Sequence, residues 1–197
     1  EVETVCKALK LALDGAKIID CEVRNRSLRI PLDPNALRST VVGRKICGLR
    51  RRGKFIVCEL EDRYAMILHL GMSGRFHTEP PDTPLEKHDH VIWGLDNGLE
   101  LRFCDPRRFG SVQPTRLNES GADPDELEHL GVEPLTEEFN ADYLHCELRN
   151  RAAPIKNLLL DQQLVAGIGN IYANEALYAA GIHPLTPGGR LSKKRGQ

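Results

Sequence analysis

Arg50-Arg51-Arg52-Gly53-Lys54 sets a lysine directly after a basic cluster and just ahead of the β-rich run FIVCEL. A lysine at a strand start, facing a groove, can hold a phosphate or carry a proton during bond cleavage. Taken alone, the motif favours a plain surface hairpin lysine. Asp105-Pro106-Arg107-Arg108-Phe109-Gly110 places a cation and an aromatic ring two residues apart. In an extended loop both side chains would point the same way. Such a pair suits a wedge into stacked bases, the ring stacking and the guanidinium bonding to base edges. It equally suits a cation–π pair that closes a turn. Leu68-His69-Leu70-Gly71-Met72-Ser73-Gly74-Arg75 ends a strand in a glycine-flanked turn, with Met72 either projecting from its tip or filling the core.

Lys87-His88-Asp89-His90 gathers residues that can bind metals. His88 and His90 alternate, however, and no second pair of ligands has suitable spacing. A polar network at a sheet rim, or a phosphate contact by His88, fits better. From Leu158 to Pro184 the pattern is a helix, a glycine-rich turn (Gly167-Ile168-Gly169-Asn170), a second helix, then Gly181 and Pro184 as a stop. A turn that ends in Asn170 just before a helix offers backbone N–H groups at a positive dipole end, a place for a phosphate. An ordinary helical hairpin carries the same punctuation. No G-x-S-x-G, P-loop, Rossmann fingerprint or H-E-x-x-H occurs, so those hydrolase, nucleotide-binding and metalloprotease classes find no support.

These groups need elements to position them. EVETVCKALKLALDG predicts an amphipathic helix with Val2, Val5, Leu9 and Leu13 on one face, closing at Gly15. Glu1 already lies inside that pattern, so residues are expected ahead of it. KIIDCEV, SLRIPL, TVVGRKICGL, KFIVCEL, YAMILHLG, HVIWGL and LELRFC predict short strands, with Asn97-Gly98 as a tight hairpin turn. So many short strands point to an all-β sandwich or barrel. EPPDTPLEK is a loop, and LEHLGVEPL should hold a short helix stopped by Gly131. From Asn140 onward ADYLHCELRN, PIKNLLLDQQLV and IYANEALYAA read as helices, and GGRLSKKRGQ as the start of another.

The 197 residues suffice for one large or two small domains. No apolar run reaches membrane-spanning length. Six cysteines without a C-x-x-C pair fit reduced, buried thiols in a cytoplasmic protein. Net charge is −1, yet nine acidic residues and no lysine or arginine fall between Asn118 and Asp142. Both flanks are therefore basic: Arg50–Lys54 on one side, and Arg149, Arg151, Lys156, Arg190, Lys193, Lys194 and Arg195 on the other. Nucleic acid responds to local potential, so this distribution remains compatible with binding it. Solvated surface charge is the plainer alternative.

EVETV, RRGKF, HLGMSGR, EKHDH, DPRRFG, HLGVEPL and LVAGIGNIYANEAL occur in the order of the blocks of bacterial formamidopyrimidine-DNA glycosylase, and the chain resembles that family over its whole length. The resemblance implies an α+β protein of two domains: an N-terminal β-sandwich with flanking helices (1–112), an acidic connector (113–139), and an all-α helix–two-turns–helix DNA-binding domain (140–197). DNA would lie in the cleft between them. The implied activity is excision of oxidised purines, 8-oxoguanine and formamidopyrimidines, by base flipping and Schiff-base chemistry, with strand cleavage by β,δ-elimination. The implied partner is double-stranded DNA with oxidised purines or abasic sites, bound by a monomer.

By the same resemblance Lys54 contacts phosphate and takes part in proton transfer. Met72, Arg107 and Phe109 fill the gap left by the flipped nucleotide, Arg107 pairing with the orphaned base. His69, His88, Arg107 and Arg151 fall at DNA-contacting positions, and Asn170 binds phosphates beside the lesion. The family's nucleophile is an amino-terminal proline, followed by a general acid/base glutamate, in a Pro-Glu-Leu-Pro stretch ahead of the EVET block. A zinc ribbon with paired C-x-x-C closes the family's chain and holds one zinc. Neither lies within these residues, so the chain is expected to bind DNA, to need no cofactor of its own, and to be catalytically incomplete. Two alternatives are a non-catalytic damaged-DNA-binding module and a phosphate-binding helical module for RNA. The second leaves the β-rich half unexplained.

Overall fold

In the computed structural model, which describes residues 1–118 and 123–192, helix α1 (Val2–Leu13) buries Cys6, Leu9 and Leu13, with Val2 and Val5 at the margin. Gly15 follows at φ +77°, a left-handed conformation that glycine adopts without steric cost. The strands are β1 (Ile18–Val23), β2 (Ile46–Arg52), β3 (Phe55–Leu60), β4 (Tyr64–His69), β5 (Arg75–Glu79), β6 (Asp89–Leu95), β7 (Glu100–Cys104) and β8 (Ser111–Arg116). They form two antiparallel four-stranded sheets, ordered β1-β6-β7-β5 and β2-β3-β4-β8. Both contribute to one core, with Trp93, Phe103 and Leu101 from the first and Ile56, Met66 and Leu68 from the second. Helix α2 (Pro34–Val41) packs beside β1 and β8.

Several sequence expectations change here. SLRIPL is not a strand. Only Leu28 and Leu32 of it are buried, and Pro31 lacks the N–H that a strand ladder would use. TVV of the expected strand TVVGRKICGL ends α2 instead. Its start is marked by Asp33, whose carboxylate accepts from the Asn35 and Ala36 N–H groups, and by Pro34 at the first helical position. β5 and β8 were not among the expected strands. Gln113 and Pro114 interrupt the apolar pattern of β8, and their side chains are only half-buried.

The compact units of the chain are Glu1–Glu126 and Leu127–Gln197. In the second, α3 (Ala141–Leu148), α4 (Ile155–Leu160) and α5 (Asn170–Ala179) enclose Leu144, Leu148, Ile155, Leu159, Val165, Ala173 and Leu177. The expected helix PIKNLLLDQQLV stops at Leu160, and QQLV becomes a turn. LEHLGVEPL holds no α-helix; a 3-10 turn at Asp125–Leu127 ends on its first residue. Gly131 is not a helix stop. A Cβ there would lie 2.3 Å from the Leu164 carbonyl oxygen, so glycine is what lets Val132 bridge to Val165. All six cysteines are free, and Cys6, Cys21, Cys58 and Cys104 are buried. Among the described residues no helix is long and apolar enough to cross a membrane.

Candidate functional site

Strand register brings most of the chemically capable residues of the first unit to one rim. His69 ends β4 opposite Phe55, the first residue of β3, and Ser111, the first of β8. In the other sheet Cys104 ends β7 opposite Arg75 and Asp89, which open β5 and β6. Two short loops, 70–74 and 105–110, join these strand ends across the sandwich. Lys54 turns the β2–β3 hairpin at this rim, beside Gly53 at φ +56°. Glu3 in the first turn of α1 pairs with Arg51 at 3.0 Å, so α1 begins there too.

Burial holds the half-buried Lys54 ammonium below the ordinary lysine range. A lysine so displaced gives up a proton more readily than a solvated one. His69 is also held below the ordinary histidine value, first by burial and then by the charges of Arg29 and Lys54. Its Nδ1 accepts from the Gly71 N–H at 3.0 Å, so the neutral ring protonated at Nε2 is the form the fold selects. The Phe55 ring lies against it, with centroids 4.9 Å apart.

The two rim loops are fastened to each other by a residue that the sequence reading passed over. Asp105 is fully buried, and its carboxylate collects three donors. Oδ1 accepts from the Ser73 hydroxyl at 2.6 Å and from the Arg107 N–H at 3.2 Å, while Oδ2 accepts from the Gly110 N–H at 2.8 Å. Its carbonyl accepts from His90 Nε2–H at 2.7 Å and its own N–H donates to the His88 carbonyl. Gly71, at φ +64°, meets the other loop backbone to backbone; a Cβ would lie 2.5 Å from the Phe109 carbonyl carbon. The only sign in the sequence was an aspartate ahead of a proline at a strand end, a common turn signal.

On this frame Met72 is 75% exposed and Phe109 45% exposed, so Met72 projects rather than filling the core. Arg107 and Phe109 do share a side, but not because the loop is extended. Arg108 between them has φ +58°, which folds the loop back and sets the Arg107 guanidinium 4.7 Å from the Phe109 ring centroid. The two residues thus form a cation–π pair and stay exposed at the same time.

The arginine cluster behaves differently from the expectation of a basic surface. Arg50 pairs with Glu59 at 2.7 Å and with Asp123 at 2.6 Å, and Arg52 pairs with Asp123 at 2.6 Å. Asp123 of the acidic segment is bound back onto the cluster and offsets part of its charge. Of Lys87-His88-Asp89-His90, only Asp89 joins a group of metal-ligand atoms among the described residues. Glu86, Asp89 and Cys104 bring ligand-type atoms within 4.8 Å of one another, but Arg75 holds Glu86 and Arg102 lies 4.0 Å from Asp89. Burial pushes the Cys104 thiol up to about 11. His88 stacks edge-on to His90 at 6.1 Å in the polar network expected there.

In the second unit Asn170 begins α5 and is exposed. The cap, Gly169, has no side chain to cover the first-turn N–H groups, and no acidic side chain occupies that turn. Gln162, unremarked in the sequence, shapes the turn: its Oε1 accepts from the Gly167 N–H at 2.9 Å, and its Nε2 donates to the Leu160 and Ile168 carbonyls. Arg151 is exposed, 3.5 Å from Glu147 one helical turn earlier, with Asn150 before it at φ +64°. Lys193, Lys194 and Arg195 of the expected basic flank lie outside the described residues.

The model of the formamidopyrimidine-DNA glycosylase N-terminal domain matches residues 1–112, and that of the formamidopyrimidine-DNA glycosylase H2TH domain matches 130–197. This chain belongs to the formamidopyrimidine-DNA glycosylase family. The enzyme of that name from Acidithiobacillus ferrooxidans is 44% identical over 195 residues, covering 99% of this chain and 70% of the relative. That of Stenotrophomonas maltophilia is 44% identical over 199 residues, covering 100% and 71%. Among solved structures, the Lactococcus lactis formamidopyrimidine-DNA glycosylase non-covalently bound to DNA containing an AP site matches with a TM-score of 0.87 at 32% identity, covering 99% of this chain and 74% of that one. The same enzyme in complex with DNA containing Fapy-dG matches with a TM-score of 0.85 at 32% identity, covering 98% and 72%. The β-sandwich and the helical unit are therefore the two domains of a DNA-repair glycosylase fold.

Proposed function

We propose that this chain recognises double-stranded DNA at oxidised purines and abasic sites, by gripping the backbone and filling the stack vacated by a flipped nucleotide. The observation that carries the reading is the rim on which Met72, Arg107 and Phe109 stand exposed over a buried carboxylate frame. Exposed apolar side chains beside a cation are costly in water and productive between base pairs. Lys54, His69 and His88 on the same rim, and Arg151 with the α5 turn at Asn170 in the second unit, are the backbone-contacting groups. Family membership supports excision of 8-oxoguanine and formamidopyrimidines with AP lyase cleavage as the activity of the whole enzyme.

The chemistry of that activity starts with attack of an amine on C1′, the base leaving with the electron pair of the glycosidic bond; opening of the C1′–O4′ bond, with a proton going to O4′, then gives an iminium, which acidifies neighbouring hydrogens and permits elimination. Lys54 suits proton transfer in that sequence, because burial has already lowered its proton affinity. It is not proposed as nucleophile. The family's amino-terminal proline and its glutamate are not among residues 1–197, and Glu1 is not a substitute for that glutamate. A polypeptide of these residues alone is expected to bind without cutting. Incubation with 8-oxoguanine duplex and borohydride should give no trapped protein–DNA adduct; a trapped adduct would show that another amine of this chain is the nucleophile.

A further inference from the structure

We infer that Asp105 and Ser73 form a latch that holds the two rim loops in one register, so that Met72 and the Arg107–Phe109 pair enter DNA as a single preformed wedge. The inference rests on the damaged-DNA reading above and assigns positioning roles to two residues which that reading does not use. Three observations carry it. First, Asp105 is 0% exposed, and among the described residues its oxygens serve the rim: Ser73, Arg107 and Gly110 supply the donors to its carboxylate, and His90 and Arg108 the donors to its carbonyl. Second, Ser73 works in both directions, its hydroxyl donating to Asp105 at 2.6 Å while its oxygen accepts from the Arg107 N–H at 3.3 Å. The residue after Met72 is thereby tied to the backbone of Arg107. Third, the contact admits no slack: Gly71 touches the Phe109–Gly110 backbone, and a Cβ on Gly110 would lie 2.5 Å from the His69 carbonyl oxygen.

A buried carboxylate with three donors is costly to desolvate, and a neutral apolar turn would be cheaper to build. What the carboxylate adds is a fixed geometry for side chains that water does not hold in place. Exposed side chains fixed before binding lose less rotamer freedom when they insert. The latch should therefore affect discrimination between damaged and intact DNA, and leave the backbone grip alone.

The test uses the full chain and two duplexes, one with a tetrahydrofuran abasic analogue and one intact. Ser73→Ala removes only the hydroxyl. It should lower the abasic-over-intact affinity ratio by about five- to tenfold, leave affinity for intact duplex unchanged, and preserve the near-ultraviolet circular dichroism. Ser73→Thr restores the hydroxyl and should recover the ratio. In a Met72→Ala, Arg107→Ala, Phe109→Ala background, Ser73→Ala should have no further effect on it. Asp105→Asn should act like Ser73→Ala if it folds, and Ser73→Ala decides if it does not. A ratio unchanged in a folded Ser73→Ala protein, or one lowered equally in the wedge-deleted background, would overturn the latch. Equal affinity of the unaltered chain for both duplexes would instead overturn the parent reading.

Discussion

The Arg107 guanidinium sits 4.7 Å from the Phe109 ring centroid while both side chains remain exposed. This contact shields one ring face; the proposed function requires the pair to separate on DNA, the ring stacking and the guanidinium reaching the unpaired base. Phe109→Ala should weaken binding to abasic-analogue duplex by about 1–2 kcal/mol, in line with the loss of one stacking partner. Arg107→Ala should change the order of preference among the four bases opposite the analogue. Titrations against the four duplexes measure both, and neither substitution should move the unfolding midpoint.

Asn170 opens α5 behind a glycine cap, where N–H groups and dipole both favour a phosphate. Asn170→Ala should weaken binding to the same duplex by about 1–2 kcal/mol. Because asparagine is uncharged, the slope of log affinity against log salt should barely change. Affinity measured over a salt series separates this from loss of a lysine or arginine contact; an unchanged affinity would remove Asn170 from the site.

Arg50 and Arg52 share the Asp123 carboxylate, each at 2.6 Å, in a setting where all three are mostly buried. Asp123→Ala removes one carboxylate shared by two guanidiniums and should cost about 1–3 kcal/mol of stability by urea unfolding. Arg52→Met should likewise lower stability while leaving the salt slope of DNA binding nearly intact. A loss of slope of about one would restore Arg52 to the surface that the sequence implied.

The His69 imidazole is held below its ordinary value of 6.5, mainly by burial. Between that folded value and 6.5 the unfolded chain binds the proton and the folded chain does not. Stability is therefore fully present above about pH 6.5 and falls as pH drops through that window. Protonation also takes from Gly71 the Nδ1 lone pair that receives its N–H. His69→Asn, which keeps an acceptor near Nδ1, should flatten this part of the stability-versus-pH curve, measured by urea unfolding at stepped pH.

The blocks that carry the family pattern were legible because each is a contiguous run with punctuation: RRGKF at a hairpin, GIGN before a helix, DPRRFG at a strand end. What stayed hidden was long-range. Asp123 meets Arg50 from 73 positions away, so a cluster that looked free in the sequence is paired in the fold. Asp105 and Ser73 are 32 positions apart, and neither residue type is unusual in a turn. SLRIPL misled because Leu28, Ile30 and Leu32 alternate as in a strand, yet Ile30 is exposed and only the two leucines are buried. QQLV continued a helical pattern, yet the Gln162 amide satisfies three backbone groups and makes a turn preferable there.

The central claim is that the rim and the α5 turn recognise a vacated position in duplex DNA. Its most direct test is equilibrium binding of the purified chain to a duplex with one tetrahydrofuran analogue, against the same duplex intact, at fixed salt. The account predicts tighter binding to the analogue by about tenfold or more, equivalent to at least about 1.4 kcal/mol, with most of the difference lost in a Met72→Ala, Arg107→Ala, Phe109→Ala protein. Equal affinity for the two duplexes, or a preference that survives removal of all three side chains, would contradict it.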